Sequence, residues 1–173
     1  MRILPPSHPR ANKTLALALV LAVAACSQGG PEAAASAAST VAAGASVHPE
    51  SGLKVIPLTV TSNGKVHAFR VEVAATAEEQ ARGLMFRTQM GADEGMIFPM
   101  DPPRRAAFWM RNTVIPLDII FVGADRRILN IAANAVPYNE TPLPSDGKVS
   151  AVLELIGGRA AELGIGPGDT VSW

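Results

Sequence analysis

The dipeptide Asn63-Gly64 splits the segment LTVTSNGKVHAFRVEVA into two runs of alternating apolar and polar residues. Asn and Gly both accept the positive φ that a type I′ turn demands, so the segment predicts a two-stranded hairpin. The rest of the C-terminal two thirds follows the same rhythm. GMIF (95–98), AAFWMRNT (106–113), LDIIFV (117–122), RILNIAANA (127–135), AVLELI (151–156) and DTVSW (169–173) are short apolar runs separated by Gly, Pro and Asp. Only two pieces read as helix. Thr76 and Glu79 form a capping box over AEEQAR, with Gly83 placed to end it, and GRAAELG (158–164) has room for a turn or two. Strands this short and this closely spaced predict a mainly β domain over residues 53–173, an antiparallel β-sandwich or barrel-like domain with one or two short helices, rather than a βαβ sheet.

Residues 1–25 read as a signal peptide. Arg10 and Lys13 precede the nine-residue apolar core LALALVLAV, and small residues lead to Cys26. That core is too short for a permanent membrane span, which takes about 20 residues. VAAC (23–26) resembles the lipobox of bacterial lipoproteins, which implies acylation of Cys26 and cleavage before it. Cys26 is the single cysteine of the chain, so no disulfide can form, and lipidation gives an exported unpaired thiol a purpose. From Cys26 to residue 52 the chain is mostly Ala, Ser and Gly and reads as a lipidated tether of roughly 25–30 Å reach. The expectation is a protein of the bacterial cell envelope, exported and anchored to the membrane through Cys26. Ser27 and Gln28 after the cysteine resemble the sorting pattern for the periplasmic side of a Gram-negative outer membrane.

Charge and residue inventory exclude several functions. Lys plus Arg and Asp plus Glu each total 15, so the chain has no cationic excess to neutralise nucleic-acid phosphates. His8 lies in the signal segment and His48 in the tether, leaving His67 as the one imidazole in the folded part, where it reads as a half-exposed strand residue. No zinc site can be built from one histidine, and no GxSxG elbow presents a nucleophile. Met85, Met90, Met96, Met100 and Met110 read as core packing rather than thioether ligands. GIGPGD (164–169) is a turn, since it lacks the Lys and helix of a phosphate loop. No metal or cofactor is expected.

The polar residues inside the apolar runs are the candidates for function. Arg111, Asn112 and Asp118 interrupt FWMRNTVIPLDIIFV (108–122), and Glu154 interrupts AVLELI. Buried charge is costly unless paired or used. Arg87 and Arg111 are available partners for Glu154, and Arg111 and Asp118 flank one bend. One reading is a structural ion pair. The other is a single concave site lined by Trp109, Arg111, Asn112, Asp118 and Glu154, with Arg87 nearby. There Arg111 would grip a carboxylate or sulfate, Asn112 would orient it and Trp109 would supply an apolar wall. Asp118 and Glu154 could instead be the acid and base of a hydrolase acting on an envelope glycan, if about 5–10 Å apart. Arg104 and Arg105 form a short basic loop able to touch anionic lipid or a partner.

GLMFR (83–87), GMIF, FWMRNT (108–113), IPLDIIF (115–121), VLEL (152–155) and GIGPGD, in this order and spacing, resemble the bacterial and archaeal family known as domain of unknown function 192. The resemblance covers about residues 53–173 and implies a compact, mostly β, sandwich-like domain, often exported. It implies no reaction. Three functions follow as expectations: a non-enzymatic envelope module binding a small polar ligand or a protein partner, a glycan hydrolase, or a purely structural or assembly module.

Overall fold

The computed structural model describes residues 46–173; the signal segment, Cys26 and the tether up to residue 45 lie outside the described residues. A two-residue strand β1 (Ser46–Val47) opens the described chain. The hairpin follows as β2 (Lys54–Ser62) and β3 (Lys65–Val73), with Asn63 at φ 50° and Gly64 at φ 75° as a type I′ turn requires. Helix α1 (Ala77–Arg82) is capped as the sequence indicates. The Thr76 hydroxyl accepts from the Glu79 N–H, and the Glu79 carboxylate accepts from the Thr76 N–H at 2.8 Å.

Five of the remaining strands are β4 (Glu94–Arg104), the short β5 (Ala107–Phe108), β6 (Leu117–Gly123), β7 (Ile128–Ala135) and the short β8 (Leu143–Pro144). β9 (Val149–Ile156), helix α2 (Arg159–Leu163) and β10 (Thr170–Ser172) complete the chain. The main sheet runs β1-β2-β3-β4-β9-β6-β7, with β10 also paired to β2, along Thr59–Thr61, while β5 and β8 pair apart from it. Arg127, just before β7, bridges Thr170 of β10, so the ends of the sheet meet through one isolated bridge without closing a barrel. The domain is mainly β and sandwich-like, with only two short helices.

Two features depart from the alternation rule. β3 and β4 are parallel, Arg70 opposite Glu94 through Val73 opposite Ile97, because the segment carrying α1 returns the chain across the sheet as a crossover. The run 106–113 is a strand only at Ala107–Phe108. Beyond it Thr113 N–H donates to Met110 C=O at 3.1 Å, and Asn112 sits at φ 53°, a conformation Asn tolerates. Residues 46–52, read from composition as tether, also belong to the fold, since Ser46 pairs with Val55 and Val47 with Lys54.

Every residue of β6 is buried, as the near-continuous apolar run LDIIFV requires of a strand covered on both faces. One face carries Leu58, Val60, Phe69, Val71, Ile120, Leu153 and Leu155; the other carries Met96, Phe98, Met110, Leu117, Ile119, Phe121 and Val152. Gly95 lets β4 run tight against β9, since a Cβ there would stand 2.5 Å from the Glu154 carbonyl oxygen.

Candidate ligand-binding site

β9 places Glu154 directly opposite Met96 of β4 and Ile119 of β6, so its side chain projects into the second of these apolar faces. The residue is only 4% exposed. Among the described residues no hydrogen bond or ion pair reaches its carboxyl group; of its expected partners, Arg87 is engaged by Glu72, and Arg111 borders the same cavity without pairing with it. Burial pushes the Glu154 pKa from 4.5 up to about 8. At neutral pH the group is a carboxylic acid, able both to donate and to accept a hydrogen bond.

Over Glu154 opens a cavity of about 410 Å³. Leu84, Phe98 and Met100 are its buried apolar walls, and Phe108 and the half-exposed Trp109 continue them outward. Phe108 is held edge-on between Phe98 and Phe121, at centroid distances of 5.0 and 6.2 Å. Four exposed arginines, Arg82, Arg104, Arg105 and Arg111, border the opening, and none forms an ion pair among the described residues. The Arg111 guanidinium lies 5.8 Å from the Trp109 ring centroid. The arrangement is polarised, with cationic groups at the mouth, apolar walls and one uncharged acid at the floor.

This geometry has a signature in stability. Folded Glu154 holds its proton more tightly than it does in the unfolded chain, so folding takes up a proton between pH 4.5 and about 8. Its contribution is complete below 4.5, declines through that window and is gone above about 8. Urea unfolding across the window should show wild-type stability falling by a few kcal/mol more than that of Glu154→Gln. Equal pH dependence of the two proteins would contradict the placement of Glu154.

Asp118 does not share this site. It pairs in register with Leu155, while its neighbour Ile119 pairs with Glu154, so the two carboxyls project from opposite faces of the sheet. Asp118 is fully buried, and its carboxylate accepts three backbone N–H bonds: Asn134 at 2.7 Å, Gly158 at 3.0 Å and Ala160 at 2.8 Å. It thus ties the end of β7 to the start of α2. The acid–base pair of the hydrolase expectation is not assembled, and Arg111 and Asp118 do not meet across their bend.

Arg87 also serves the fold. Its guanidinium forks onto Glu72 at 2.9 and 3.1 Å and reaches Glu50 at 3.2 Å. The Ser51 hydroxyl donates to the same Glu72 carboxylate. This cluster fastens residues 48–53 against β3. Asn112 lies outside the cavity lining; its side-chain amide contacts the Met85 sulfur at 3.8 Å, and its C=O accepts from Phe86 N–H at 2.9 Å. Of the residues singled out from sequence, the structure gathers Trp109, Arg111 and Glu154 into one cavity and separates Asp118, Arg87 and Asn112 from it. Sequence reasoning missed Arg82 and the buried partner Glu72. Glu72 follows the polar phase of a hairpin strand, and nothing local marks it as buried.

A mostly β domain with a polarised cavity, without a second carboxylate in its lining among the described residues, is the class that the fold and the site define. The chain belongs to the family of domain of unknown function 192 (DUF192), described as an uncharacterised group, whose family model matches residues 58–173. Among solved structures it resembles a protein of unknown function from Novosphingobium aromaticivorans DSM 12444, with 65% identity, 76% of this chain and 94% of that chain covered, and a TM-score of 0.75. It also resembles a protein from Sinorhizobium meliloti 1021 whose description proposes a transcription regulator, with 37% identity, coverage of 69% and 94%, and a TM-score of 0.67. No curated protein matches the chain.

Proposed function

We propose that this protein is a lipid-anchored, non-enzymatic module of the cell envelope that binds a small polar ligand in the cavity beneath Trp109. The observation that carries the reading is Glu154, a buried acid without a partner among the described residues, facing a space large enough for a small molecule. A group of this kind costs stability in an empty domain and is useful to one that binds something. The hydrolase reading loses its support, because Glu154 is the one carboxylate lining the cavity among the described residues and Asp118 is committed to three backbone N–H groups on the other face. A purely structural module would have no need of four arginines around one opening, none in an ion pair among the described residues. The role proposed for the Sinorhizobium relative is not carried over, since equal numbers of acidic and basic residues leave no cationic excess for nucleic acid. Anchoring through Cys26 rests on the lipobox-like VAAC and the Ala-rich stretch that follows.

Thermal shift against anionic, neutral and cationic small molecules tests the cavity. At least one chemical class should raise the wild-type melting temperature, and Trp109→Ala should abolish that shift while leaving the unliganded melting temperature within about 2 °C, as an exposed side chain permits. Flat responses throughout would favour a structural module. Labelled palmitate should enter the wild-type protein and not Cys26→Ser; incorporation into the variant would remove the anchor assignment.

A further inference from the structure

The cavity has a direction, and the direction selects a ligand. All four charged groups at its mouth, Arg82 from α1, Arg104 and Arg105 from the end of β4, and Arg111 from the turn after β5, are cations, and the one titratable group at its floor is Glu154 of β9. β6, packed along the other side of β9, contributes Ile119 at this level and no charge. We infer that the cavity takes a small organic acid with its charged end outward: the anion across the arginines at the mouth, an apolar body along Phe98, Met100 and Phe108, and an uncharged acceptor oxygen at the inner end against the Glu154 carboxyl. This rests on the binding reading above and adds the ligand class and its orientation.

Charge at the two ends of the cavity excludes the other arrangements. A ligand cation at the mouth would meet four like charges. An ammonium at the floor would demand an ionised Glu154 in a face built from Met96, Phe98, Ile119 and Val152, apolar neighbours that offset little of the desolvation of either ion. An anion pushed inward would meet a carboxyl group with no cation beside it. A neutral acid donating to a carbonyl or ether oxygen satisfies the floor without burying charge. The cavity's 410 Å³ lies near the lower end of the range of roughly 300–1,000 Å³ for small-molecule sites, so the body is short.

The inference is tested with the mature chain carrying Cys26→Ser, so that no acyl group competes, and three matched probes followed by NMR titration. Monomethyl suberate has a carboxylate, an alkyl body and an ester oxygen at the far end; octanoate has the same head and a similar body without the acceptor; octylammonium reverses the charge. At about pH 6.5 octanoate should bind at least tenfold more tightly than octylammonium, and the half-ester about fivefold more tightly than octanoate. The half-ester's advantage should vanish at about pH 9.5, where Glu154 is ionised, and should vanish in Glu154→Leu. Arg105→Gln with Arg111→Gln should weaken both carboxylates and spare the fold, since both side chains are exposed. Glu154→Gln, which keeps a donor, should hold the half-ester's advantage at both pH values and guards against a misfolded Leu variant. Equal affinity for octylammonium and octanoate, or a half-ester advantage that survives in Glu154→Leu, would overturn the ligand class and leave the cavity a binding site of another kind. Failure of all three probes to bind would overturn the ligand class, while flat thermal shifts across every class of small molecule would overturn the binding reading itself.

Discussion

Asp118→Ala is expected to destabilise the domain by about 4 kcal/mol or more, the largest effect of any substitution proposed for this chain. The carboxylate is fully buried and is the acceptor for the Asn134, Gly158 and Ala160 N–H groups. Charge-assisted bonds contribute roughly 1.5–3 kcal/mol each, and the N–H of the buried Ala160 is left without an acceptor. Three such donors do not add linearly, which is why the expectation stays below their sum. Asp118→Asn keeps the shape and an acceptor oxygen and should cost about half as much. Urea unfolding measures the total, and amide exchange at residues 134, 158 and 160 should accelerate ahead of the rest of the sheet. A loss below about 0.5 kcal/mol would show that the carboxylate is not the clasp described here.

Arg87→Met should cost about 3–5 kcal/mol, because it leaves Glu72, only 4% exposed, without the guanidinium that forks onto it. What remains is the Ser51 hydroxyl and His48 at 3.8 Å. Pairing Arg87→Met with Glu72→Leu should recover most of the loss, since an apolar pair of similar volume need not be desolvated as ions are. Limited proteolysis gives a second reading: residues 46–53 should become cleavable in the single variant. Because Arg87 does not line the cavity, ligand binding by the surviving folded fraction should be unchanged. That contrast separates the two roles that charged residues play in this small domain, one clasping the fold and the other facing an open space.

The parts of this molecule readable from sequence are those governed by neighbours in the chain. Asn63-Gly64 dictates its own turn, Thr76 and Glu79 cap each other within one helical turn, and β6, β7 and β9 announce themselves through apolar runs of strand length. The parallel pairing of β3 with β4 is decided by how the α1 segment crosses the sheet, and no residue of either strand encodes it. FWMRNT misleads because its side chains are apolar for another reason. Phe108 and Trp109 wall a cavity, and the backbone turns away at Asn112 instead of continuing a ladder. Asp118 and Glu154 look alike in sequence, each an acid between apolar neighbours. Register alone separates them, sending one to a nest of N–H groups and the other to an open space.

The most direct test of the central claim, that Glu154 is kept for a ligand and not for the fold, is the unfolding free energy of unliganded Glu154→Leu against wild type at neutral pH. A buried acid with no partner among the described residues contributes nothing that leucine cannot, so the variant should be as stable as wild type or more stable by about 1–2 kcal/mol, with the share of ligand-induced stabilisation that depends on the ligand's acceptor oxygen lost. A variant less stable by about 2 kcal/mol or more would mean that the Glu154 carboxyl supports the fold through contacts of its own, contradicting the account.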